Sequence, residues 1–127
     1  MNNIETGKIG ENIAYKYLLK NKYLILARNH RERFNEIDII ARSRDGTLIF
    51  CEVKTSNIDL NNETLNTGFM PEDNFSGAKS RKTIRACETC LARYPELLWE
   101  NRGWQIDLIA IVLKNGKPVA LRHYQNV

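Results

Sequence analysis

The sequence has no apolar run long enough to span a bilayer and no segment that reads as a signal peptide, so neither membrane insertion nor export is expected. Its cysteines number three, an odd count with no repeated pairing pattern, which argues against a disulfide framework and for a reducing, cytoplasmic setting. Strong charge of one sign is missing too: a formal net charge of +4 and a pI near 9.1 favour polyanionic partners only mildly. Apolar residues, in contrast, are plentiful. At 43% hydrophobic over 127 residues the chain is not a disordered sequence, and its length suits a single domain, 1–127, with its own core.

Charge enters that core pattern in one place. The runs from Asn35 to Ala41 and from Leu48 to Lys54 are rich in β-branched and aromatic residues, and the link between them carries Asp45-Gly46, the pair typical of tight hairpin turns. A three-residue loop, Arg44 to Gly46 with Gly46 left-handed, sets Ile40 opposite Phe50, Asp38 opposite Glu52 and Glu36 opposite Lys54. The other face then carries Ile37, Ile39, Ala41, Ile49, Cys51 and Val53, all apolar; a two-residue turn would set Asp38 against Val53 and mix the faces. The register places two carboxylates side by side. At about 5 Å they repel by roughly 3 kcal/mol at an effective dielectric near 20. Lys54 alone cannot neutralise Glu36, Asp38 and Glu52. A divalent cation could, and hard oxygen ligands suit Mg2+ or Mn2+.

The remaining elements follow from periodicity. Asn3 to Asn21 reads as a helix whose stripe Ile9, Ile13, Tyr17, with Ala14 and Leu18 beside it, should dock on the sheet. Glu11 lies at the edge of that stripe, open between an ordinary solvated glutamate, which the residues alone favour, and a carboxylate aimed toward Asp38 and Glu52. Tyr23 to His30 reads as a first strand covered on both faces, because Leu24 to Ala27 are all apolar. Arg28, His30, Arg31 and Arg33 form a basic cluster, open between a solvated loop and phosphate contact, and His30 is open between a hydrogen-bonded histidine and a general base. A long polar loop is expected at about 56–76.

A second helix is expected from Gly77 to Tyr94, with Ile84, Cys87, Leu91 and Tyr94 buried and Pro95 ending it. Its Cys87-x-x-Cys90 spacing lies well inside the helix without a second ligand pair, which disfavours a redox or zinc role. Lys79, Arg81, Lys82 and Arg85 crowd cations into its first turns, against the helix dipole at roughly 0.3–1 kcal/mol each, and an external phosphate would reverse that sign. Trp99 and Trp104 fit the core best. Two strands, Gln105 to Leu113 and Pro118 to Tyr124, close the chain around the type I′ turn signal Asn115-Gly116, and Asp107 is open between capping and pairing with a basic residue.

Asp38 on one strand followed by Glu52-x-Lys54 on the next resembles the core of the PD-(D/E)XK nuclease superfamily, including the archaeal Holliday-junction resolvases. More of the chain follows in the same order: Gly10-Glu11 with Ala14 and Tyr17-Leu18, then Tyr23, Ile25-Leu26 and Asn29, Glu36-Ile37-Asp38, Glu52-Val53-Lys54, Lys82 and Arg85, Ile106-Asp107 and His123. Together these are similar to the YraN-like family of predicted endonucleases, over nearly the whole chain apart from about Ser56 to Ser76. The chain departs from that family at Asn35, usually Gly, and Ser56, often basic. The resemblance implies an α/β restriction-endonuclease-like fold: helix, three-strand meander, helix, two strands. It also implies a metal-dependent endonuclease acting on DNA, with branched or damaged DNA among its candidate substrates. Asp38, Glu52 and Glu11 would hold Mg2+ or Mn2+, Lys54 would act beside them, and Lys79, Arg81, Lys82, Arg85 and Arg31 would grip nucleic acid. A homodimer is compatible with this reading and not required by it. The rival expectation is a nucleic-acid-binding module that keeps the nuclease fold without cutting.

Overall fold

A computed structural model of the chain describes residues 2–33, 35–58 and 77–127, with backbone only for 77–80. Its elements are α1 (Asn3–Lys20), β1 (Leu24–Arg31), β2 (Glu36–Arg42), β3 (Leu48–Ile58), α2 (Gly77–Arg93), a short 3-10 helix (Pro95–Leu97), β4 (Trp104–Lys114) and β5 (Lys117–Tyr124). The fold is α/β, a five-stranded mixed sheet in the order β1-β2-β3-β4-β5 with helices on its faces. Among the described strands only β3 and β4 run parallel, and the long connection that includes α2 is what such a pair needs.

The hairpin register is the expected one where β2 and β3 pair: Arg42 faces Leu48, Ala41 faces Ile49, Ile40 faces Phe50 and Ile39 faces Cys51. Its turn closes through Ser43 N–H donating to Thr47 O at 3.0 Å, with Gly46 at φ +95°. The Asp45 carboxylate accepts from Ser43 Oγ, from Thr47 Oγ1 at 2.8 Å and from Thr47 N at 3.0 Å, which fixes the loop length. Arg42, buried at the strand end, stacks on Trp99 at 4.0 Å and donates to the Leu97 carbonyl at 2.6 Å, so Trp99 serves packing while staying half exposed.

Each face of the sheet has its own core. Ala14 and Leu18 of α1 pack on Ile39, Ala41, Ile49, Cys51, Ile109, Ile111 and Leu113. Ala86, Cys87 and Cys90 of α2 pack on Ile37, Ile40, Leu48, Phe50 and Ile106. Each fully buried Leu, Ile or Phe contributes roughly 1.5–3 kcal/mol. The α1 side is pinned by a buried relay: Tyr17 Oη lies 2.8 Å from His123 Nδ1, and His123 Nε2 lies 2.7 Å from Asp107 Oδ2. Asp107, 0% exposed, also accepts from Gln105 at 2.8 Å and from the Asn126 N–H at 3.0 Å. Of the two roles left open for it, pairing with a basic residue is the one realised.

Several expectations change. First, β1 is not covered on both faces: it is an edge strand, and Leu24 and Leu26 stay 59% and 36% exposed. Second, β3 runs on to Ile58 because β4 is long enough to pair with it as far as Lys114, so Ser56 to Ile58 are strand rather than loop; residues 59–76 of the expected loop lie outside the described residues. Third, the buried stripe of α2 is Thr83, Ala86, Cys87 and Cys90, rotated so that Ile84 is 41% exposed, while Leu91 and Tyr94 only border the core. The fourth, the switch of Ile37 to the α2 face, belongs to the site.

Candidate functional site

Alternation along β2 should place Ile37 and Ile39 on one face, yet Ile37 packs toward α2 and Ile39 toward α1. The switch happens at Asp38. Pairing of β2 with β3 ends at Ile39–Cys51, and the next free N–H on that flank of β3, that of Val53, donates to Asp38 Oδ2 at 2.7 Å. Across β2 on the other side, Arg28 faces Ile39 and His30 faces Ile37, leaving Asn29 over Asp38 with a left-handed φ of +52°. Asn tolerates that conformation better than most residues. The sheet is thus irregular on both flanks of Asp38.

The helix α1 closes this region from one side. At Gly10 an added Cβ would meet Thr55 Oγ1 at 1.8 Å and Thr55 Cβ at 2.8 Å, so only glycine lets α1 cross β3 this closely. The next residue is Glu11. With the Asn29 amide turned so that its nitrogen faces the acceptors, it donates to Glu11 Oε1 at 2.5 Å and Glu36 Oε1 at 3.1 Å, tying α1 to β2. Burial raises the Glu11 carboxyl pKa, and the charges of Glu36 and Glu52 add to this against Arg28.

Asp38 is perturbed further. Burial and the neighbouring Glu52 push its carboxyl up to about 7; Glu11 adds to the rise, while the Val53 N–H and Lys54 oppose it. Lys54 Nζ sits 3.0 Å from Glu52 Oε1 with both side chains mostly covered. Asp38, Glu52, Glu11 and Lys54 therefore form one electrostatic unit. They do not form a closed ligand cage: among the described residues, only His30, Glu32 and Cys90 bring three ligand atoms within 4.8 Å of one another. Glu36 does not face Lys54 as expected, because the strands have separated there; it pairs instead with Arg31 at 3.5 Å, an exposed contact of little energetic weight.

A polar cleft of about 410 Å3 opens beside Glu11 and Asn29, lined also by Lys8, Asn12 and Arg28. Arg28 is held by Asn12 at 2.8 Å and lies over the Tyr15 ring at 4.6 Å. On α2, Arg81, Lys82 and Arg85 are exposed, and the Lys79 side chain lies outside the described residues. His30 is hydrogen-bonded to buried Glu32 and stands edge-on to Tyr94, the first of the two roles left open for it. Asn29 as organiser of the carboxylates, Lys8 at the cleft and Glu32 as a buried charge were missed from sequence. A left-handed Asn can be suspected in a strand, but nothing local marks Glu32, whose partner Arg93 lies 61 residues on.

Fold and site together define a class: a small α/β domain whose sheet opens around a cluster of carboxylates and one lysine. The chain belongs to the uncharacterised protein family UPF0102, whose model matches residues 10–111. It is 38% identical to a UPF0102 protein of Chlorobium phaeobacteroides over 124 residues, 96% of this chain and 92% of the relative. It is 39% identical to one of Dictyoglomus turgidum over 114 residues, 89% of this chain and 86% of the relative. A third, from Trichlorobacter lovleyi, is 32% identical over 124 residues, 98% and 90% of the two chains. No helix among the described residues is long and apolar enough to cross a membrane.

Proposed function

We propose that the chain is a metal-dependent endonuclease of the PD-(D/E)XK type, hydrolysing phosphodiester bonds of DNA. One observation carries the reading: Asp38, Glu52 and Glu11 come from three elements into one partly buried region, where burial first and the charge of Glu52 next push the Asp38 carboxyl up to about 7. Such crowding costs the free chain stability and fits a hard-oxygen donor set that gains from a divalent cation. Asp38, Glu52 and Glu11 would hold Mg2+ or Mn2+, which when bound supplies positive charge to polarise a phosphoryl oxygen. Lys54, already 3.0 Å from Glu52, would orient the attacking water and offset charge developing on the phosphate. The cations Lys8 and Arg28 at the adjoining cleft, with Arg31, Arg81, Lys82, Arg85 and Lys79, would contact the DNA backbone.

The test is cleavage of duplex, nicked, flapped and four-way DNA with Mg2+ or Mn2+, with Glu52→Ala purified in parallel to exclude contaminating nuclease. Metal-dependent cutting by the parent and none by the variant is the expected result. Salt-sensitive binding without cutting would select the non-catalytic nucleic-acid module instead, and absence of both would end the reading.

A further inference from the structure

A second cluster lies outside the carboxylate site. His30 at the end of β1, Glu32 just beyond it and Cys90 in the fourth turn of α2 bring an imidazole nitrogen, a carboxylate oxygen and a thiol sulfur within 4.8 Å of one another. We propose that these three residues bind a zinc ion.

The donor set separates this site from the first. Imidazole and thiolate suit zinc and are poor ligands for magnesium, and three protein ligands with a fourth position left to water is a common zinc arrangement. Glu32 and Cys90 are buried, whereas the His30 side chain keeps 20% of its surface exposed, so the cluster meets solvent at His30. The two Glu32 oxygens divide their tasks: Oε2 faces His30, and Oε1 is held by Arg93 at 3.1 Å. Arg93 is in turn bonded to the Tyr94 hydroxyl at 3.1 Å, and Tyr94 packs edge-on against the His30 ring with centroids 6.0 Å apart. Such outer contacts orient metal ligands and hold them ready. Burial and Glu32 raise the Cys90 pKa while Arg93 opposes them, so the metal-free thiol carries its proton. On binding, Zn2+ replaces that proton: the sulfur–zinc bond forms as the S–H proton leaves to solvent, and thiolate plus carboxylate balance the ion. The ion would tie α2 to the edge strand β1, one helical turn from Cys87, whose thiol is within electrostatic reach of Glu52. This site does not depend on nuclease activity.

Protein stripped with EDTA is titrated with zinc against a chromophoric chelator, and separately with Co2+. The expected result is one equivalent bound, a near-ultraviolet thiolate-to-cobalt band, and a thermal midpoint that rises with zinc. Cys90→Ser should remove the band and weaken zinc at least tenfold, His30→Gln should weaken it similarly while leaving a thiolate available, and Cys87→Ser should change neither. No stoichiometric zinc in the parent, a cobalt spectrum without the thiolate band, or a folded His30→Gln variant that binds as tightly as the parent would overturn the assignment. His30→Gln keeps the test decisive if Cys90→Ser fails to fold.

Discussion

Replacing Asp38 by Asn isolates the electrostatics of the candidate site. The Asp38 carboxyl rises from 3.8 to about 7 on folding, through burial and Glu52 first. Because the folded-state value lies above the unfolded one, the folded chain binds the extra proton: this group costs nothing below about pH 4, the penalty grows as pH rises, and it is constant above about pH 7. At about 1.4 kcal/mol per pH unit the full penalty is about 4 kcal/mol, and roughly 3 after allowance for the part of the carboxyl that reaches solvent. The amide of the replacement keeps an oxygen for the Val53 N–H, now 2.7 Å from Asp38 Oδ2, but trades a charged acceptor for a neutral one at about 1 kcal/mol. In EDTA, Asp38→Asn should therefore be more stable than the parent by about 2 kcal/mol at pH 8 and by little or nothing at pH 5. Urea unfolding at four pH values reads this directly, as a difference that grows with pH.

Added Mg2+ should reverse the sign at pH 8. If the ionised carboxylates hold the cation, the parent gains stability by mass action, about 2.7 kcal/mol at a hundred times the dissociation constant, and Asp38→Asn gains little. A parent-to-variant difference that stays flat from pH 5 to 8 would mean that Asp38 does not titrate there and that the crowding inferred from Glu52 and Glu11 is wrong. A pH-dependent difference with no response to Mg2+ or Mn2+ would leave the electrostatics standing and remove the metal.

Gly10→Ala should lose roughly 1–3 kcal/mol or more through overlap with Thr55, whereas Gly7→Ala, with open space around it, should gain about 0.5–1 kcal/mol; thermal unfolding of the pair checks the opposite signs. Lys82→Ala with Arg85→Ala should lower the slope of log DNA affinity against log salt by about one per lost contact, and an unchanged slope would make that helix face a solvated one. His123→Ala should destabilise by about 1–3 kcal/mol at pH 7, because the buried Asp107 carboxylate loses one of its three side-chain and main-chain donors and keeps Gln105 and the Asn126 N–H. Burial pushes the Asp107 carboxyl up, but the bonds from His123, Asn126 and Gln105 outweigh it and hold the value down, so the stabilisation is present above pH 3.8 and lost below; the parent-to-variant gap should shrink in acid.

Much of this architecture was legible because it is written locally. The Asp45-Gly46 turn and the alternation of Ile39, Ala41, Ile49 and Cys51 set the hairpin register, and Asn115-Gly116 set the last one, with both residues at positive φ as a type I′ turn requires. What was not legible depends on partners distant in sequence. Leu24 to Ala27 look the same whether a strand lies inside a sheet or at its edge, and only the placement of the helices exposes Leu24. Ser56 to Ile58 are polar enough for a loop, yet β4 supplies hydrogen-bonding partners for them. Asp107 has its counter-group 16 residues away, delivered by the β4–β5 hairpin. For the site, the residue types were readable and their angular relation was not: alternation put Ile37 beside Ile39, and the strand turns over between them.

That turnover bears on why the carboxylates sit where they do. A regular hairpin would have carried β2–β3 pairing past Asp38 and set its carboxylate directly opposite Glu52. Three irregularities coincide there instead: left-handed Asn29 on β1, the end of the β2–β3 ladder at Ile39–Cys51, and the close passage of Gly10 over Thr55. Each gives up ladder bonds or tolerance to substitution, and together they let Glu11 approach from α1 while a main-chain N–H fixes Asp38. A fold selected for stability alone has no use for this combination, since apolar residues at positions 38 and 52 would keep the ladder and remove the repulsion. Local departures of this kind concentrate at functional sites. On the proposed reading, the stability surrendered around Asp38 is what a bound cation restores.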